Sequence, residues 1–286
     1  MKIPHRLMRL KQHEAGAIWL ERLPEIVAAL AELWELQLEP PYEGANVSYV
    51  VPAIRGIERV VLKVQWPDPE SMHEAEALRL WDGAGAIRLL AHDPQRHALL
   101  LERCVPGTGL AGARGVDRLG VLIAMLPRLW KAAGAPFRSL AEEANEWRAT
   151  LHADWEACGK TCERRLVDAA VEFIAELVGD QGEQVLLHQD LHGENVLAAE
   201  REPWLVIDPK PLVGAREFSL APIIRSAELG HSQAEVIHRL ERLSAELGLD
   251  RRRACRWAIA QTMAWSFDGS DTRRHFEIAR WLLAAA

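Results

Sequence analysis

Val185-Leu186-Leu187-His188-Gln189-Asp190-Leu191-His192-Gly193-Glu194-Asn195 is followed a few residues later by Trp204-Leu205-Val206-Ile207-Asp208. Each apolar run has the length and composition of a buried strand, and each ends on polar residues. The pattern predicts a strand that delivers an H-x-D-x-x-x-x-N loop, then a second strand ending on an aspartate. The residue types define a chemistry. Asp190 can accept a proton from a hydroxyl, which makes it the expected catalytic base. The amide oxygen of Asn195 and the carboxylate of Asp208 are hard donors suited to Mg²⁺ on a nucleotide's phosphates. A base and two metal ligands in this order are what phosphoryl transfer from ATP requires. With Asp190 in the base role, His188 is expected to hold the loop by hydrogen bonding.

The same chemistry needs a cation on the nucleotide, and the chain offers one upstream. Lys63 lies in Val60-Val61-Leu62-Lys63-Val64, an alternating strand where a lone lysine is flanked by apolar residues. A kinase places its phosphate-holding lysine on such a strand, paired to a helix glutamate. Glu74 is the expected partner and Glu76 the alternative; two apart on a helix, they face different ways and only one can serve. The turn Glu43-Gly44-Ala45-Asn46-Val47-Ser48 is placed to cover the phosphates with backbone N–H groups and with Asn46 or Ser48. After the strand Ala98–Leu101, Glu102-Arg103-Cys104 falls where a hinge would meet adenine through its main chain. Lys63, Glu74, Asn46, Ser48, Glu102 and Cys104 thus form the expected nucleotide-binding set.

Outward from these motifs the periodicity changes character along the chain. Residues 16–35 carry apolar positions at helical spacing interrupted by Pro24, which predicts two short helices. Residues 36–46 read as a strand breaking into a turn, and extended segments follow over 47–54, 59–65, 87–91 and 98–103, with a helix over 73–81. Val105-Pro106-Gly107-Thr108-Gly109 has linker composition. Beyond it the pattern is helical over 116–133, 138–157 and 162–178. After the catalytic loop, helices are expected near 219–229, 232–247, 250–268 and 271–285. The expected fold is therefore α+β and bilobal, of the protein-kinase-like kind. A lobe over 1–105 joins helices to a small five-stranded antiparallel sheet and binds the nucleotide; a larger, mainly helical lobe over 106–286 carries the catalytic loop and the acceptor site.

Composition narrows the partners. The chain has 286 residues with 49% apolar content, enough for two lobes with cores of their own. Its 34 basic and 41 acidic residues give a formal charge of −7, which argues against a nucleic-acid partner and suits a small cationic substrate. The four cysteines, at 104, 158, 162 and 255, have neither zinc-knuckle nor C-x-x-C spacing and read as reduced thiols. Nothing resembles a signal peptide or a membrane span, so the expected location is the cytoplasm, with no obligate protein partner evident.

The chain resembles the aminoglycoside phosphotransferases, and within them the streptomycin 6-kinase and hydroxyurea phosphotransferase family. The matching residues are Glu74–Ala86, Leu99–Arg103, His188–Asn195, Trp204–Gly214 and Leu220–Arg225, with Ile207-Asp208-Pro209-Lys210 the most family-specific. The resemblance implies ATP- and Mg²⁺-dependent transfer to a hydroxyl of an aminocyclitol antibiotic, foremost position 6 of streptomycin, and hence antibiotic resistance. The residues by themselves define only a kinase. Two departures stand out: Ser219 follows Phe218 where such kinases commonly carry an aspartate that ties down the catalytic loop, so looser anchoring is expected, and the phosphate loop has a single glycine.

Protein-kinase activity is argued down by Gln189, which replaces an arginine that would meet a phosphorylated activation loop, and by the short stretch after Asp208. A small acceptor follows. Streptomycin carries guanidinium groups, so acidic side chains should face it, and Asp154, Glu156, Asp268 and Asp271 are the candidates. Two other readings share these residues: a kinase of a metabolite such as an amino alcohol or sugar, and a non-catalytic nucleotide-binding module.

Overall fold

A computed structural model describes residues 1–45, 47–267 and 272–286. Its residues separate into two compact units: Met1–Gly107 with Ala199–Leu205, and Thr108–Ala198 with Val206–Ala286.

In the first unit, β1 (Leu36–Leu38), β2 (Ser48–Arg55), β3 (Glu58–Gln65), β4 (Leu89–Asp93) and β5 (Ala98–Glu102) form an antiparallel sheet in the order β1-β2-β3-β5-β4. Arg55 pairs with Glu58, so β2 and β3 are joined by a two-residue turn, and Gly56 supplies the positive φ (61°) of its first position. Strand alternation then sorts β3 into two faces. Val60, Leu62 and Val64 are fully buried in a core shared with Leu20, Leu23, Val27 and Leu30 of α1 (Glu14–Leu33). Lys63 and Gln65 point the other way, toward α2 (Glu74–Trp81).

Helix α1 is one helix of 20 residues, not the two expected. Pro24 lies inside it on the exposed side, whereas Leu20, Leu23, Val27 and Leu30 form an unbroken buried stripe. Packing of the apolar stripe outweighs the backbone hydrogen bond that Pro24 cannot donate and holds the helix together.

The second unit is mainly helical. Its elements in chain order are α3 (Arg118–Leu129), β6 (Arg138–Ser139), α4 (Leu140–Ala157), α5 (Arg164–Gly179), β7 (Gln184–Leu187), β8 (Val196–Ala198), β9 (Trp204–Val206, whose last residue alone falls in this unit), β10 (Leu212–Ala215), α6 (Ala221–Arg225), α7 (Gln233–Leu247), α8 (Arg251–Ala264) and α9 (Thr272–Leu283). β10 lies between β6, which it pairs in parallel, and β7, which it pairs antiparallel. A Cβ at Gly214 would collide with the Leu140 side chain, so glycine here lets α4 start directly on the sheet. Ser139 caps α4 in a capping box with Glu142. Helix α8 runs through the centre of the unit, with Trp257, Ile259 and Met263 fully buried.

The helix expected near 219–229 is three short pieces: a 3-10 turn over Arg216–Leu220, α6, and a 3-10 turn over Ala227–Leu229. Ser226, with ψ at 112°, breaks the run after Arg225. Among the described residues no helix is long and apolar enough to cross a membrane.

Candidate active site

In the first unit the buried cation is already paired. Lys63 Nζ donates to Glu74 Oε2 at 2.5 Å, and Gln65 Nε2 donates to the same oxygen at 2.7 Å. Both lysine and glutamate are nearly inaccessible, at 5% and 0% exposure. Glu76 instead faces Arg79 and His73 at the surface. A buried charge pair stays ionised only if its remaining hydrogen-bonding capacity is met, and Gln65 contributes to that. Its alternation with Lys63 on β3 was the available signal for it; sequence reasoning missed it.

In the second unit the loop after β7 is stitched to the segment after β9. His188 Nε2 donates to the carbonyl of Ile207 at 2.9 Å, Lys210 N–H donates to the carbonyl of His188 at 3.0 Å, and Ile207 N–H donates to the carbonyl of Asn195 at 3.0 Å. Burial drives the His188 pKa down to about 4, opposed by the Ile207 contact, so its ring is neutral and Nε2 carries the proton. The asparagine is oriented in turn. Its Nδ2 donates to the carbonyl of Asp190 at 2.8 Å, which leaves the amide oxygen as the end available to a cation.

The base candidate sits on a strained turn. Asp190 N–H donates to the carbonyl of His188 at 2.8 Å across Gln189, whose φ is 63°. A three-residue turn with a positive central φ is the rarer, strained kind and persists only where its surroundings hold it. Here Gln261 of α8 does so: its Nε2 donates to the Gln189 carbonyl at 3.0 Å, and its side chain is fully buried. Ser219 makes no such contact. Its hydroxyl donates to the carbonyl of Arg216 at 2.5 Å and accepts from Trp130 Nε1 at 3.3 Å. The hydrogen bond that reaches this turn thus comes from α8 and not from position 219. Gln189 itself is buried, at 2% exposure, and faces the interior. Asp208 also has a positive φ, 57°.

Around this loop stand His192, which belongs to it, and two groups that no spacing pointed to, Glu228 and Arg225. Glu228 accepts from the Gly193 N–H and lies 3.7 Å from His192 Nδ1. Burial opposes charge on His192, but Glu228 and Asp190 outweigh it and raise its pKa above the ordinary value. Burial likewise pushes Glu228 up, yet His192 and the Gly193 N–H hold it below the usual carboxylate range. Arg225 places Nη2 3.4 Å from Asp190 Oδ1. Arg225 and Glu228 stand 35 and about 38 residues from Asp190, a separation that periodicity cannot bridge, whereas His192 belongs to the loop itself.

The other expected residues are distributed as follows. Ser48 is buried at the start of β2, paired with Gln65. Glu102 gives its carboxylate to Arg201 (2.8 and 3.0 Å) and to the Arg88 N–H (2.9 Å), and its own N–H to the Arg88 carbonyl, so its side chain is spent within the first unit. Cys104 is buried, and burial pushes its thiol up to about 12, which makes it inert. Asp154 is half-buried on α4, a turn before Cys158, whose thiol meets the Phe267 carbonyl at 3.7 Å. Asn46, Asp268 and Asp271 lie outside the described residues.

The fold is protein-kinase-like. A solved aminoglycoside phosphotransferase in ternary complex with ADP and hygromycin B superposes with a TM-score of 0.64 at 14% identity, over 90% of this chain and 96% of that one. Residues 34–268 match the family of aminoglycoside/hydroxyurea antibiotic resistance kinases. A streptomycin 6-kinase of Streptomyces griseus is 38% identical over 270 residues, 91% of this chain and 88% of that protein. A hydroxyurea phosphotransferase of Kitasatospora aureofaciens is 36% identical over 304 aligned positions, 100% of this chain and 87% of that protein. The chain belongs to this family of antibiotic resistance kinases and is a phosphotransferase.

Proposed function

We propose that the protein transfers the γ-phosphoryl group of ATP, with Mg²⁺, to a hydroxyl of streptomycin, at position 6, and so inactivates the antibiotic. The observation that carries this reading is the Asn195 amide donating to the Asp190 carbonyl, which ties the proposed base to the proposed oxygen ligand. The relative named as a streptomycin 6-kinase supports the choice of acceptor. The structural relative holding ADP supports the choice of nucleotide.

Each residue has a defined task. Lys63, held by Glu74 and Gln65, grips the nucleotide phosphates. Asn195 and Asp208 would hold the magnesium ion; Mg²⁺ is normally bound by one or two protein oxygens with phosphates and water completing its shell, and this pair supplies that number. When bound, the ion neutralises charge on the phosphates. Asp190 orients the acceptor hydroxyl and takes its proton late, because the transition state is loose and the oxygen becomes acidic only as the new P–O bond forms. His188, neutral and tied to Ile207, keeps the loop in register. Asp154, Asp268 and Asp271 are the carboxylates proposed for the guanidinium groups of the acceptor.

The test is an acceptor assay. The purified chain, ATP and Mg²⁺ are incubated with streptomycin, hydroxyurea or simple amino alcohols, and phosphorus NMR locates the phosphate. The expected product is streptomycin phosphorylated at position 6, with kcat/KM at least about tenfold above the other acceptors. Preferential phosphorylation of an amino alcohol would replace the acceptor. Mg-ATP binding with no transfer to any acceptor would make the protein a binding module.

A further inference from the structure

Phosphoryl transfer keeps negative charge on the three equatorial oxygens of the moving group, and cations aimed at them are a main source of rate. The loop from His188 to Asn195 contains no lysine or arginine. Within the second unit, two cations reach its neighbourhood from other segments. Arg225, the last residue of α6, sets its guanidinium 3.4 Å from Asp190 Oδ1 and 4.2 Å from the centroid of the Trp265 ring. Lys210, two residues beyond Asp208, brings Nζ 5.0 Å from the same ring.

Three features make this more than a surface ion pair. The Arg225 side chain is only 10% exposed, so its charge is poorly screened. Its backbone is fixed: the carbonyl of Ile224 accepts from both Nε and Nη2 of Arg239, at 3.0 and 2.8 Å, and Arg239 is 2% exposed. The 3.4 Å contact lies at the outer limit of hydrogen bonding, which leaves the Asp190 carboxylate able to accept another proton. Two cations against one indole attract an anion. In the reaction, the anion that must lie beside Asp190 is the transferring phosphoryl group.

We propose that Arg225, with Lys210 beside it on Trp265, is a catalytic residue of this kinase that meets the equatorial oxygens of the transferring phosphoryl group. The inference rests on the kinase reading above. It requires that Arg225 bind the moving group more tightly in the transition state than in bound ATP, so its loss should fall on kcat and leave the nucleotide KM nearly unchanged.

The test uses the full chain with streptomycin present and compares wild type, Arg225→Met, Arg225→Lys and Trp265→Leu. It measures kcat, KM for ATP, and the affinity for Mg-ADP with and without aluminium fluoride, a mimic of the moving phosphoryl group. Arg225→Met is expected to lose about 10²-fold or more in kcat, keep its Mg-ADP affinity, and no longer bind ADP more tightly when fluoride is added. Arg225→Lys should recover part of both losses. If Arg225→Met does not fold, Trp265→Leu, which loosens both cations, carries the test and should weaken the fluoride effect. Retention of the full fluoride effect in the folded variant overturns the proposal and leaves the kinase reading intact. Absence of both the fluoride effect and transfer in the wild type overturns both.

Discussion

His188 shows how one side chain can set a pH limit on the whole fold. It is 3% exposed, and its pKa falls from 6.5 to about 4 because burial penalises the charged ring. Between those values the unfolded chain binds a proton that the folded chain refuses, so stability rises with pH across that window and is lost as pH falls. The loss at pH 4 is on the order of 3 kcal/mol. Urea unfolding at pH 7 and pH 4.5 should therefore show a steeper decline for the wild type than for His188→Gln; parallel declines would contradict the buried neutral ring. At this scale much of the site was legible. Asp190, Asn195, Asp208 and Lys63 stand out because their residue types and local spacings are set by chemistry. Gln65 was in reach of strand alternation, but Arg225 and Glu228 were not, because only tertiary folding brings residues that distant to the loop.

Between elements, the loop at Asp190 is tied to α8 through the Gln261 amide. The Gln261 side chain meets the carbonyl of Gln189 at the strained turn, whereas Ser219 is spent on Arg216 and Trp130. Replacing Gln261 with leucine leaves that carbonyl without its donor, at a cost of roughly 1–3 kcal/mol. Part of this should appear as lost loop geometry, with kcat falling about tenfold or more and the nucleotide KM changed little. Steady-state kinetics on Gln261→Leu decide the matter, and an unchanged kcat in a folded variant would remove Gln261 from the anchoring role. The sequence signalled a missing aspartate at Ser219 but gave no sign of the replacement, since a glutamine inside a buried helix looks like any other polar interruption. The strands of the first unit were legible because alternation and Gly56 fix them locally. The single helix α1 was not, because its stability past Pro24 comes from the core it covers.

At the scale of the molecule, the two compact units meet in sequence at Gly107 and Thr108, inside the stretch Val105–Gly109 whose composition is that of a linker. The return of Ala199–Leu205 to the first unit was invisible. Its hold is Arg201, whose guanidinium reaches Glu102 and the carbonyls of Gly83 and Ala86 at 2.8 to 3.0 Å, and no local pattern announces such a tie. Each unit holds part of the proposed machinery: the first the buried Lys63–Glu74 pair, the second the proposed base Asp190 and the proposed ligand Asn195 on one stitched loop. The most direct measurement is turnover and Mg-ATP affinity of Asp190→Ala beside Asp208→Ala. Asp190→Ala is expected to lose roughly 10²-fold or more in kcat with nucleotide affinity intact, and Asp208→Ala to lose the magnesium-dependent part of that affinity. Near-normal turnover in Asp190→Ala would remove Asp190 from the base role, and unchanged magnesium dependence in Asp208→Ala would remove Asp208 as a ligand.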